Sequence, residues 1–136
     1  MECVLLLAFG LPVSVSDFYR HIVPNRVLLA FGGVLCAQLL IKQNLGPHLV
    51  FALKVATFLA IFQWITAGVM GMGDAKYLFL LALLVGSGPQ YFRGLLFSVL
   101  VAAVISLAYF IFGRSLNIEI PLAPAFTMGF SLALAL

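Results

Sequence analysis

Acidic side chains are almost missing from this chain: Glu2, Asp17, Asp74 and Glu119 are the only four among 136 residues. Charge of either sign is scarce, at 8% of residues, and nowhere forms a run. A soluble domain of this size needs far more charge to stay dispersed. Without clustered Lys and Arg, nucleic acid is not a partner, and the net charge of +3 suits loops that face anionic lipid. Cysteine is limited to Cys3 and Cys36, both in apolar stretches and too far apart for a C-x-x-C pair. Zinc needs clustered Cys or His ligands, so no metal is expected, and nothing calls for a cofactor. The amino end, Met1-Glu2-Cys3 before an apolar run, has no basic region and no small-residue cleavage site. It reads as a retained first span and not as a signal peptide.

What fills the chain instead is apolar residue, 65% of the total, with a mean hydropathy of +1.24. Strand-like alternation is absent, and inside a bilayer a helix satisfies its own backbone polar groups. The expected fold is all-α: a polytopic transmembrane helical bundle of about six spans, a single unit over 1–136 with no soluble domain. Apolar segments fall at about 3–16, 27–41, 49–69, 76–91, 94–112 and 122–136. A straight span wants about 20 residues and at least about 17. The third and fifth segments meet that; the others are short, which implies local thinning or helix ends in a water-accessible cavity. Gly86-Ser87-Gly88-Pro89 reads as the turn between the fourth and fifth.

Parity then locates the charges. Two crossings separate Asp17 from Asp74, so both belong to one face, and two more bring the 113–121 loop, with Arg114, Asn117 and Glu119, to it as well. That face carries Arg20, Arg26, Lys76 and Arg114, against Lys42, Arg93 and a snorkelling Lys54 opposite. The balance leans toward a cytoplasmic acid face.

A carboxylate in or near hydrocarbon costs at least about 2.5 kcal/mol, so such residues are functional candidates. Asp17 precedes a stretch running Phe18-Tyr19-Arg20-His21-Ile22-Val23-Pro24-Asn25-Arg26, in which Pro24-Asn25 favours a turn before the second helix. Read blandly, Asp17 is a solvated charge in an interfacial loop. In Gly71-Met72-Gly73-Asp74-Ala75-Lys76 the glycines either turn the chain sharply, with Asp74 capping the next helix, or admit a substrate backbone close to a carboxylate. Lys76 either holds positive potential over the site or anchors its helix at the headgroups. Paired carboxylates share a proton, so one can activate water while the other protonates a carbonyl. No Ser-His-Asp or Cys-His arrangement competes, since His21 and His48 belong to loops on opposite faces. Two other readings stay open: a small ion- or proton-coupled transporter component, and a non-catalytic secretion scaffold.

Asp17, the Ile22-Val23-Pro24-Asn25 sequence and Gly71-Met72-Gly73-Asp74-Ala75-Lys76 together resemble the type IV prepilin peptidases, membrane aspartyl proteases of the G-x-G-D class. Val23 stands where that family usually has isoleucine, and Ile120-Pro121-Leu122-Ala123-Pro124-Ala125 with Gly129 looks like its closing P-x-x-P segment. The resemblance implies Asp17 and Asp74 as the catalytic pair, with Gly71, Gly73, Lys76, Pro24 and Asn25 in support. It further implies prepilin or pseudopilin precursors as substrates and a site on the cytoplasmic face of the bacterial inner membrane. The chain looks like the short form that accompanies tight-adherence (Flp) pili. Lacking the C-x-x-C region of the longer members, it is expected to cleave without transferring methyl groups.

Overall fold

The computed structural model describes residues 2–20, 22–67, 71–112 and 122–136. Among them are six helices and no strand: α1 (Glu2–Arg20), α2 (Asn25–Ile41), α3 (Leu45–Ile65), α4 (Met72–Val85), α5 (Gly88–Ile111) and α6 (Leu122–Ala135). The all-α bundle expected from hydropathy is what forms. Three helices, α1, α3 and α5, are long and apolar enough to cross a membrane. At 14 residues each, α4 and α6 are about 21 Å long, short of a hydrocarbon core of about 30 Å.

Several boundaries differ from the hydropathy segments, because hydropathy stops at the first charge while backbone hydrogen bonding continues past it. Helix α1 runs on through Asp17 to Arg20, and α5 begins at Gly88, with Pro89 in its first turn where a missing N–H does no harm. Helix α3 starts at Leu45, so His48 lies in its first turn and not in a loop. Its Nδ1 bonds the Leu83 carbonyl at 2.9 Å, satisfying one of the last carbonyls of α4. The Gly86 turn is as expected: Gly86 closes α4 in the left-handed conformation, φ 66°.

Helix α4 is the centre. From Tyr77 to Val85 every residue except Phe79 is buried, and α2, α3, α5 and α6 all pack on it. A short helix walled by protein need not match the bilayer. Around it, buried positions recur at helical spacing, such as Leu28, Phe31, Leu35 and Leu39 on α2. The opposite surfaces stay apolar and open, with Trp64 85% exposed, as suits lipid contact. Lipid tails are as apolar as leucine, so helices adhere in a bilayer through close packing and hydrogen bonds. Small residues accordingly line the contact of α6 with α1 and α5: Gly10, Gly94, Ser98, Ala123, Ala125 and Gly129 are all buried.

The chain alternates direction, as end-to-end contacts show. At one end Glu2 of α1 pairs with Lys42 beyond α2 at 3.8 Å, and His48 meets the end of α4. At the other, the close of α1 meets the start of α6, and the starts of α2 and α4 are bonded to each other. The parity count is therefore realised for Asp17 and Asp74. His21, Met70, Arg114, Asn117, Glu119 and Ile120-Pro121 lie outside the described residues.

Candidate active site

Asp17 stands in the last turn of α1, on the inward stripe that also holds Leu6, Gly10, Val13 and Ser14. It is 7% exposed, which excludes the solvated loop charge. An anion at a helix C-terminus meets the negative end of the dipole. Helix α6 compensates: the backbone N–H of Ala123, in its first turn, donates to Oδ2 of Asp17 at 3.0 Å. That N–H is one of the donors a helix leaves without an internal partner. Each helix end thus satisfies the other.

Asp74 is the third residue of α4, ahead of the apolar run that starts at Tyr77. It does not cap the helix. Gly71 occupies the cap position, with no side-chain cap bond. Burial first, and the charge of Asp17 second, push the Asp74 carboxyl from 3.8 up to about 6. The second cause means that two carboxyls, 57 positions apart in the chain, share one electrostatic neighbourhood.

Neither glycine has the left-handed backbone that a glycine-specific turn would use. Gly71 has φ −61° and ψ 138°, which any residue adopts, but a Cβ there would lie 3.3 Å from Oδ2 of Asp74. At Gly73, inside α4, a Cβ would fall 2.8 Å from Cβ of Val23. Gly73 lets the connection between α1 and α2 lie directly against α4. Pro24 caps α2 in extended geometry, and its carbonyl accepts from the N–H groups of Val27 and Leu28 at 3.1 and 3.2 Å. Asn25 opens α2, and its Oδ1 accepts from Nζ of Lys76 at 3.1 Å, tying the starts of α2 and α4 together. The Val-Pro-Asn sequence and the glycine-aspartate sequence are therefore one spatial unit.

A cleft of about 670 Å³ opens between α2, α3 and α4. Met72, Ala75 and Lys76, which flank Asp74, line it together with Gly32 of α2 and Ala56 and Ala60 of α3.

Two carboxyls so placed, one hydrogen-bonded to backbone and the other raised by burial, are an arrangement that can exchange protons with water and with a carbonyl held between them. The type IV leader peptidase family matches residues 4–111, which takes in both aspartates and the sequences around them. The chain belongs to that family. A prepilin leader peptidase/N-methyltransferase of Bacillus subtilis is 31% identical over 133 residues, covering 96% of this chain and 53% of the relative. This family member thus spans about half the length of that relative. No solved structure matches it.

Among the described residues, the buried Ser14, Tyr77 and Thr127 carry no motif yet lie close to the aspartates along α1, α4 and α6. A signal existed for two of them. Ser14 stands three residues before Asp17 and Tyr77 three after Asp74, each about one helical turn deeper in the bundle. Nothing in the sequence aligned Thr127 with either.

Proposed function

We propose that this chain is a membrane aspartic endopeptidase. It removes the basic leader from type IV, Flp-like prepilins at the cytoplasmic face of the bacterial inner membrane. The observation that carries the reading is the convergence of Asp17 and Asp74 at one end of the bundle, where the charge of Asp17 acts on Asp74. The family and the name of the Bacillus subtilis relative supply the substrate class. Arg20, Arg26 and Lys76 at the aspartate end support the cytoplasmic orientation.

The two carboxyls divide the work. Asp17, held by the Ala123 N–H, is the charged member and takes a proton from water. Asp74 carries a proton and gives it to the oxygen of the scissile carbonyl as hydroxide adds to carbon. When the tetrahedral intermediate collapses, the C–N bond breaks and the proton taken by Asp17 passes to the leaving amine. Asp74 recovers its own from the intermediate's hydroxyl, leaving an acid and an amine. Of the two activities in the relative's name, we assign only the peptidase to these 136 residues. The aspartates account for it, and the C-x-x-C pairs of the family's bifunctional members are not among them.

The test is processing of a co-expressed prepilin-like substrate in membranes by wild type, Asp17→Asn and Asp74→Asn. Asparagine keeps the size of the side chain and cannot exchange the proton. Each single change is expected to abolish processing while the protein still accumulates. Processing by both variants would remove the aspartates from the mechanism and turn attention to ion flux.

A further inference from the structure

One turn below the carboxyl pair lies a polar node made of one residue from each of three helices. Ser14 of α1, Tyr77 of α4 and Thr127 of α6 are all buried. The Thr127 hydroxyl oxygen is 2.8 Å from Oη of Tyr77, 2.9 Å from Oγ of Ser14 and 2.9 Å from the carbonyl oxygen of Ala123. A hydroxyl has one proton and two acceptor positions. The carbonyl can only accept, so the proton of Thr127 goes to Ala123 and both neighbouring hydroxyls donate to Thr127. Its capacity is filled, with the Gly10 carbonyl more distant at 3.4 Å.

Ala123 is the hinge of the arrangement. Its carbonyl takes the proton of Thr127, and its N–H goes to Asp17. Space for the node comes from Gly10 of α1, where a Cβ would lie 2.6 Å from Cγ2 of Thr127 and 2.9 Å from Oη of Tyr77. Within a bilayer, hydrogen bonds of this kind between helices give direction to contacts that packing alone leaves free to slide.

We propose that Thr127, with Tyr77 and Ser14 as its donors, is a positioning residue of the aspartate site. It holds α1, α4 and the start of α6 in the arrangement that keeps Asp17 on the Ala123 N–H and Asp74 facing the same water. The proposal rests on Asp17 and Asp74 being the reacting pair. None of the three node residues reaches the reacting atoms; each acts through the helix that carries an aspartate or its donor.

The full chain is compared as wild type, Thr127→Val, Thr127→Ser and Tyr77→Phe, with Asp17→Asn as the inactive reference, on a prepilin-like substrate in membranes. Valine keeps the shape of threonine but offers neither proton nor acceptor. For Thr127→Val, kcat per folded molecule is expected to fall roughly ten- to a hundredfold with KM unchanged, since a displacement of about 1 Å can cost that much. Tyr77→Phe falls less, and Thr127→Ser recovers most of the activity. The alkaline limb of the pH profile of Thr127→Val also moves to lower pH, because carboxyls held less closely act less on one another. Asp17 is the charged group whose field acts on Asp74. Arg20 and Arg26 are exposed, Lys76 is engaged by Asn25, and α6 has no titratable side chain over Leu122–Ala135. Should Thr127→Val fail to accumulate, Tyr77→Phe against Thr127→Ser carries the comparison. A kcat per folded molecule equal to wild type, with an unmoved limb, overturns the proposal. A second readout is independent of cleavage: amide exchange at the start of α6 should quicken in Thr127→Val or Tyr77→Phe and stay slow in Thr127→Ser. Unchanged exchange overturns positioning even if wild type cleaves nothing, and absent cleavage with altered exchange strikes the peptidase reading alone.

Discussion

A single carboxyl, Asp74, sets how the protein should respond to pH. Burial and the neighbouring Asp17 hold it at about 6 in the folded chain, against 3.8 when unfolded. Between those values the folded state binds more protons than the unfolded one, so stability is greatest below about 4 and declines as pH rises through about 6. Melting of the purified protein in detergent should follow that decline, and Asp74→Asn should flatten it. In the proposed mechanism the same proton goes to the substrate carbonyl, so cleavage should weaken as pH passes 6 and continue to fall toward neutrality. A rate still climbing well above neutrality would contradict proton sharing. The motif exposed Asp17 and Asp74 to a reader of the sequence. Their surroundings were hidden: Asp74 is raised by burial and by Asp17, and Asp17 accepts an N–H from Ala123, 106 positions away.

Helix α4 and the connection from α1 to α2 show why the two sequence motifs occur together. The close approach of Gly73 to Val23, with the Lys76–Asn25 bond beside it, makes them a single surface. Gly73→Ala should therefore disturb the connection, lowering both cleavage and melting temperature. Replacing Val23 by glycine in the same chain removes the Cβ at 2.8 Å and the Cγ2 at 3.1 Å, leaving Cα at a comfortable 3.8 Å. The double variant should regain activity over Gly73→Ala; if it does not, packing is not what Gly73 provides. Among the described residues, a Cβ at Gly71 meets the Asp74 carboxyl alone, so Gly71→Ala should reduce cleavage with little change in melting. The glycine pair was legible as important from its setting between apolar runs. The reason was not, since Cβ clearance is a property of two elements in contact.

For the bundle as a whole, the close contact of α5 with α6 is the joint on which the site depends, because α6 brings Ala123 to Asp17. A Cβ at Gly129 would run into the backbone nitrogen and hydroxyl of Ser98, and one at Gly94 would lie 2.6 Å from the Phe130 ring. Neither backbone nor a packed ring yields readily. Gly129→Ala should cost about 1–3 kcal/mol, the usual range for overpacking. Thermal unfolding in detergent should show this against Gly33→Ala, where a Cβ meets nothing within 4 Å and the change is neutral or mildly stabilising. Equal losses at the two positions would mean that the α5–α6 contact is looser than its geometry implies.

Composition and order along the chain were enough for the bundle, the number of helices and the end at which both aspartates lie. The bilayer forces these outcomes: apolar runs must become helices, and an even number of crossings returns a chain to its starting face. They were also enough for the family, whose motifs are local. Contact between helices settled the rest. That Asp17 is buried, that α6 supplies its donor, that α4 is walled by protein although too short to span, and that Ser14, Tyr77 and Thr127 meet beneath the pair all follow from which faces pack together. Among apolar helices in an apolar solvent, hydrophobicity favours no one face over another, so small residues and a few hydrogen bonds choose.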